Sequence, residues 1–183
     1  MPVRRAAVLG AGVMGAGIAQ LFASRGIPVR LKDIQQEAVE SGLARARNIF
    51  LMQSKKGTGN EEAVEEKMQL ITGTTTFEGF SEVELVVEAV AEKMPVKQEV
   101  LREVEEILRE ETVFASNTSG LSLTELQSAS RRPDQVGGMH FFNPVHRMPL
   151  VEIIRGGQTS DRTAATLFEA GRKLGKTPIL VAD

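Results

Sequence analysis

The stretch Ala6-Ala7-Val8-Leu9-Gly10-Ala11-Gly12-Val13-Met14-Gly15 decides how this chain folds. A short apolar run, suited to a strand buried on both faces, leads directly into Gly-x-Gly-x-x-Gly. Gly10 suits the tight turn off the strand, Gly12 lets the backbone approach a pyrophosphate, and Gly15 lets the following helix lie close to the strand. Ala16-Gly17-Ile18-Ala19 keeps that packing face small. The N-terminus of such a helix offers unpaired N–H groups and a partial positive charge to phosphates. By itself the glycine pattern is weak. Here a second strand, Val29-Arg30-Leu31-Lys32-Asp33, follows at βαβ distance and ends in an acid 18 residues after Gly15. A carboxylate at that point accepts hydrogen bonds from ribose hydroxyls and repels the 2′-phosphate of NADP. Asp33 therefore favours NAD, and the neighbouring cations Arg30 and Lys32 pull against that preference.

Working outward, strand-sized apolar runs lie at 6–10, 29–33, 85–90, 113–117, 136–142, 151–155 and 178–183, with helical patterns around 14–24, 94–109 and 162–174. This alternation predicts an α/β fold of Rossmann type, a doubly wound and mainly parallel sheet, in one NAD-binding domain over 1–183. One segment breaks the rhythm. Residues 34–71 hold no strand pattern and exceed the usual βα connection. They read as two helices, 35–53 and 61–70, joined by 54–60: an inserted helical hairpin projecting from the sheet, or simply a cover for its edge. Lys55 and Lys56 sit at its tip, where two ammonium groups suit anionic CoA phosphates.

Composition excludes several classes. The 183 residues carry a net charge of -2 with both signs dispersed, which argues against a nucleic-acid surface. No apolar run reaches the roughly 20 residues of a membrane span. The segment before the first strand lacks the apolar stretch of a signal peptide, which with the absence of cysteine fits a cytoplasmic protein. Without cysteine there are no disulfides, zinc–thiolate sites or thiol nucleophiles, and without tyrosine there is no phenolic proton donor.

Base chemistry then falls to His140 or His146, the chain's two histidines. His140 lies within the apolar strand Val136-Gly137-Gly138-Met139-His140-Phe141-Phe142, and Glu152 lies twelve residues on, inside Val151-Glu152-Ile153-Ile154. A histidine in an apolar strand is more often a satisfied core residue. If the two strands are neighbours, however, the carboxylate sets the imidazole's tautomer and stabilises the imidazolium formed when the ring takes a proton. His146 reads as a loop histidine.

The run from Gly138-Met139-His140-Phe141-Phe142-Asn143-Pro144 through Val151-Glu152-Ile153-Ile154-Arg155-Gly156 resembles the signature of 3-hydroxyacyl-CoA dehydrogenases. It is most similar to the dehydrogenase part of bacterial multifunctional fatty-acid-oxidation α subunits. The likeness extends through Val86-Val87-Glu88-Ala89-Val90, Ala115-Ser116-Asn117-Thr118-Ser119, the glycine loop and 29–33, and weakens over 35–70. It implies that His140 is the base taking the 3-hydroxyl proton, that Glu152 is its carboxylate partner, and that Ser119 binds the substrate oxygen near the nicotinamide. It also implies cofactor contacts at Gly10, Gly12, Val13, Met14, Gly15, Asp33, Ala89, Val90, Glu92, Lys97, Asn117, Ser119 and Asn143. Taken alone, Ser119 equally suits a helix cap.

The reaction so implied is NAD-dependent oxidation of 3-hydroxyacyl-CoA to 3-oxoacyl-CoA in fatty-acid β-oxidation, with thiolase or hydratase partners where the activities are joined. Members of the family continue into a helical domain that covers the acyl chain, so residues 1–183 alone are expected to bind NAD and turn over poorly. Two rivals remain: a different NAD-dependent hydroxy-acid dehydrogenase, and a non-enzymatic NAD-sensing module. Lysine or arginine–histidine sets are commoner in the first. The second has little use for a histidine–glutamate pair.

Overall fold

A computed structural model describes residues 1–55 and 61–183. The chain runs β1 (Ala6–Leu9), α1 (Val13–Ser24), β2 (Val29–Lys32), α2 (Gln36–Lys55), α3 (Glu61–Met68), β3 (Ile71–Thr74), β4 (Leu85–Glu88), α4 (Met94–Glu105), β5 (Val113–Ser116), α5 (Leu123–Gln127), β6 (Val136–Phe141), β7 (Leu150–Arg155), α6 (Asp161–Lys173) and β8 (Thr177–Ala182). The strands form one sheet in the order β3-β2-β1-β4-β5-β6-β7-β8. Neighbours from β3 across to β6 are parallel; β7 runs antiparallel to β6, and β8 runs parallel to β7. The fold is the expected Rossmann-type, mainly parallel sheet.

Alternation along the strands feeds two cores. Ala6 and Val8 of β1 join Ile18, Phe22, Leu31, Val87, Met139 and Leu167 on one face. Ala7 and Leu9 join Val86, Leu101, Val104, Phe114 and Leu126 on the other. Burial on both faces explains why these strands read as unbroken apolar runs. Two helices take a serine cap: Ser122 accepts from Glu125 N–H before α5, and Ser160 accepts from Thr163 N–H before α6.

At the β1–α1 corner Gly10 has φ +95°, and a Cβ there would lie 2.5 Å from the Ala89 carbonyl oxygen. A Cβ on Gly15 would lie 1.7 Å from the Gly10 carbonyl oxygen. Any side chain at Gly15 would thus push the helix off the strand.

Two elements were not expected. β3 reads Ile71-Thr72-Gly73-Thr74, an edge strand too polar and short to stand out. The five residues of α5 are too few to show a helical period. The segment 34–71 holds the two expected helices, α2 and α3. It connects β2 to β3, and Val39, Ala46, Phe50 and Val64 are buried. A Cβ on Gly42 would come within 2.9 Å of Ala11. The base of this helical pair is therefore packed against the domain. Lys56 and the side chain of Lys55 lie outside the described residues.

Before β4, Glu84 accepts from Arg4 N–H at 3.0 Å and Arg5 N–H at 2.7 Å, and Arg109 lies at 3.3 Å. Burial opposes its charge, but the two backbone donors and the Arg109 guanidinium hold its carboxyl below the ordinary value of 4.5. A carboxylate whose folded value is depressed contributes stability above its unfolded value, and that stability is lost as pH falls through the folded one. Urea unfolding of Glu84→Gln should therefore lose less stability than wild type between neutral pH and about pH 3. Parallel acid dependence in the two proteins would contradict this assignment.

Candidate active site

The sheet order reverses between β1 and β4, and in doubly wound sheets ligands bind beyond the C-terminal strand ends at that point. Two clefts open there. The first, about 420 Å³, is lined mainly by apolar surface and includes Gly10, Gly12, Asp33, Phe77, Val96 and Val100. The second, about 360 Å³, includes Met14, Lys97, Asn117, Ser119, His140 and Asn143. Ala89 and Val90 line both and so join them into one elongated groove.

The groove fits a dinucleotide. Gly12 precedes the first turn of α1, and a Cβ there would meet nothing within 4 Å, so its backbone faces open space. The α1 N-terminus carries no side-chain cap, which leaves its N–H groups for an anion. Val13 is 58% exposed beside it. Asp33 Oδ2 accepts from Ala11 N–H at 2.9 Å and Oδ1 from Ile34 N–H at 2.8 Å. Each oxygen keeps a second lone pair for a ribose hydroxyl. Neither cation beside Asp33 pairs with it. The Arg30 guanidinium packs against Gly79, and the Lys32 ammonium sits 4.3 Å above the Phe77 ring.

β6 and β7 pair so that His140, which lines the second cleft, lies directly opposite Glu152. His140 Nδ1 and Glu152 Oε2 are 2.8 Å apart, with the two side chains 15% and 30% exposed. The Phe142 ring lies 4.5 Å from the imidazole, centre to centre. A carboxylate at Nδ1 selects the tautomer with its proton on Nδ1, leaving Nε2 as an acceptor. Asn117 Oδ1 accepts from Phe141 N–H at 2.8 Å, which leaves its NH2 group for the cleft it lines. Ser119 and Asn143 are exposed on the same cleft, and His146 lies in the turn beyond it.

Beneath both clefts lies an ionic network that the sequence reading did not identify. Glu88, at the end of β4, is fully buried and 2.7 Å from the Lys97 ammonium, itself 1% exposed. Glu88 also accepts from Val90 N–H at 2.8 Å and from the Ser116 hydroxyl at 2.6 Å. Lys97 further contacts Glu92 at 3.2 Å, and Glu92 accepts from the Thr118 hydroxyl and from Ser119 N–H at 3.0 Å. Burial opposes the Glu92 charge, but Thr118, Lys97 and Ser119 hold its carboxyl below the usual glutamate range. Glu92 and Lys97 thus line the cleft while holding its walls together. The available signal was an acid closing the apolar strand Leu85-Val86-Val87-Glu88, which requires a buried counter-charge.

The model of the family "3-hydroxyacyl-CoA dehydrogenase, NAD binding domain" matches residues 5–183. The chain belongs to this family. It is 47% identical over 182 residues to the fatty acid oxidation complex subunit alpha of Acinetobacter baumannii (strain SDF), covering all of this chain and 25% of that protein. The (S)-3-hydroxybutyryl-CoA dehydrogenase of Ralstonia eutropha superposes with a TM-score of 0.96 at 38% identity, over 100% of this chain and 64% of that one. The 3-hydroxybutyryl-CoA dehydrogenase of Escherichia coli K12 gives 0.94 at 31% identity, over 100% of this chain and 39% of that one. The chain thus spans a quarter of the length of the α subunits it matches. It is an NAD-binding domain, and among the described residues no helix is long and apolar enough to cross a membrane.

Removing one partner of a buried ion pair strands the other, at a cost of about 3–5 kcal/mol. Lys97→Met should destabilise the domain by that order in urea unfolding, and adding Glu88→Gln should recover part of the loss. A Lys97→Met protein as stable as wild type would show that Glu88 does not depend on this cation.

Proposed function

We propose that this domain belongs to an enzyme that oxidises 3-hydroxyacyl-CoA to 3-oxoacyl-CoA in fatty-acid β-oxidation, in the cytoplasm. The observation that carries this reading is the His140–Glu152 pair, 2.8 Å apart, with His140 lining a cleft that shares Ala89 and Val90 with the cleft at the glycine loop. Bound NAD supplies the hydride acceptor. Oxidation of an alcohol also requires a group that removes the hydroxyl proton. His140 Nε2 takes the proton from the 3-hydroxyl, and Glu152 stabilises the resulting imidazolium through Nδ1–H. Ser119 donates to the substrate oxygen. Asn117 and Asn143 border the reacting end of the groove, Gly12, Val13, Met14 and Gly15 present the helix terminus to the pyrophosphate, and Asp33 accepts from the adenosine ribose. Glu92 and Lys97 position the wall bearing Ala89 and Val90.

The same pair argues against a non-enzymatic NAD sensor, which needs no base beside the nicotinamide. Enclosure of the acyl-CoA falls to sequence of the kind that the relatives carry beyond this match. Residues 1–183 alone therefore bind NAD and turn over slowly. In a multifunctional assembly, hydratase and thiolase activities supply the substrate and consume the product.

Calorimetric titration should show NAD binding more tightly than NADP. Asp33→Ala should cost about 1.5–3 kcal/mol of NAD affinity, the scale of charge-assisted hydrogen bonds. Asp33→Asn, which keeps an oxygen for Ala11 N–H, isolates the effect of charge. NADP binding as tightly as NAD in the wild type would refute the role of Asp33.

Catalysis is tested in a longer chain that also carries the helical domain expected of the family. There, His140→Gln should lose roughly 10²–10⁴-fold in turnover of a short 3-hydroxyacyl-CoA while keeping NAD affinity. Glu152→Gln should lose less. Near-normal turnover by His140→Gln would remove the central claim.

A further inference from the structure

The adenosine half of the groove contains an ammonium that no described group satisfies. Lys32, the last residue of β2, is 9% exposed and lines the apolar cleft. Its Nζ lies 4.3 Å above the Phe77 ring, and among the described residues no oxygen accepts a hydrogen bond from it. Phe77 is itself set edge-on against the buried Phe80 at 5.4 Å. A ring face replaces only part of the hydration that a buried ammonium gives up. Glu103, from α4, borders the same cleft, is exposed, and also lacks a described partner. A donor-only group and an acceptor-only group thus face one apolar slot, and the two do not pair with each other.

We propose that Lys32 and Glu103 read the base of the dinucleotide and select adenine. This rests on the NAD reading of the groove. Adenine presents an exocyclic N–H donor beside a ring-nitrogen acceptor on both its N1 and its N7 edge. Lys32 donates to the ring nitrogen and Glu103 accepts from the amino group, while Val96 and Val100 contact the base. Hypoxanthine replaces the amino donor with a carbonyl acceptor. In the same orientation it sets an oxygen against the Glu103 carboxylate. Sites built to hydrogen-bond a ligand reject analogues that leave their polar groups unpaired. The role differs from that of Asp33, because it concerns the base rather than the ribose. It also gives Lys32 a function other than pairing with a 2′-phosphate.

The test is calorimetric titration of the chain with NAD, nicotinamide hypoxanthine dinucleotide and nicotinamide mononucleotide. Wild type should prefer NAD to the hypoxanthine analogue by about 10-fold or more, the scale of a charge-assisted hydrogen bond. Lys32→Met, of similar shape, and Glu103→Gln, at an exposed position, should each weaken NAD binding and shrink that ratio. Neither should change binding of the mononucleotide, which lacks the base. Equal wild-type affinity for the two dinucleotides, or an unchanged ratio in both variants, overturns base selection while leaving NAD binding intact. Tighter NADP binding that depends on Lys32 would assign the ammonium to a 2′-phosphate and overturn it as well. Failure of NAD itself to bind would instead overturn the NAD reading, and base selection with it.

Discussion

The site depends on how closely α1 approaches β1. That approach exists because Gly15 carries no side chain, since a Cβ there would overlap the Gly10 carbonyl at 1.7 Å. With the helix so close, its uncapped N-terminus points into the space beyond the strand ends. The positive φ of Gly10 turns the chain there, and the Ala89 carbonyl occupies the room that a side chain would need. The glycine loop and the loop after β4 therefore touch backbone to backbone. The groove runs between them because these two connections leave the sheet toward opposite faces.

Polar latches hold this corner. Asp33 ties the end of β2 to Ala11, and Glu88 ties the end of β4 to Lys97, Val90 and Ser116. The Glu88–Lys97 pair is buried on both sides, where charge is costly unless fully satisfied. Its additional hydrogen bonds reach β5 and the loop after β4, so one network positions both walls of the second cleft. Glu92 extends it to Thr118 and Ser119 at the exposed rim. Groups expected to touch a cofactor are thereby also the groups that keep the cleft open.

The reversal of direction at β7 has a separate consequence. Parallel strands need a long crossover, whereas residues 142–149 form only a short connection. The antiparallel register that results sets His140 opposite Glu152 on one face of the sheet. Val145, in that connection, is buried and would lie 3.1 Å from a Cβ on Gly17. The loop that follows the candidate base thus rests on α1, and both ends of the groove refer to the same helix.

Much of this was legible from local sequence. Strands buried on both faces show as apolar runs, a helix closing on a strand shows as spaced glycines, and the acid that follows β2 shows at the spacing expected of a ribose-binding carboxylate. The histidine and glutamate were visible, and their spacing was compatible with neighbouring strands. Other features depended on packing between distant segments. β3 joins the sheet because β2 offers a free edge, although Ile71-Thr72-Gly73-Thr74 has little apolar pattern of its own. Glu88 and Lys97 are nine residues apart and only become a buried pair when α4 folds back over β4. Arg30 and Lys32 read alike beside Asp33, yet one lies against Gly79 and the other over Phe77. A charged side chain is long enough to reach several partners, and its partner is chosen by the segments brought beside it, so only the tertiary structure decided where each charge comes to lie.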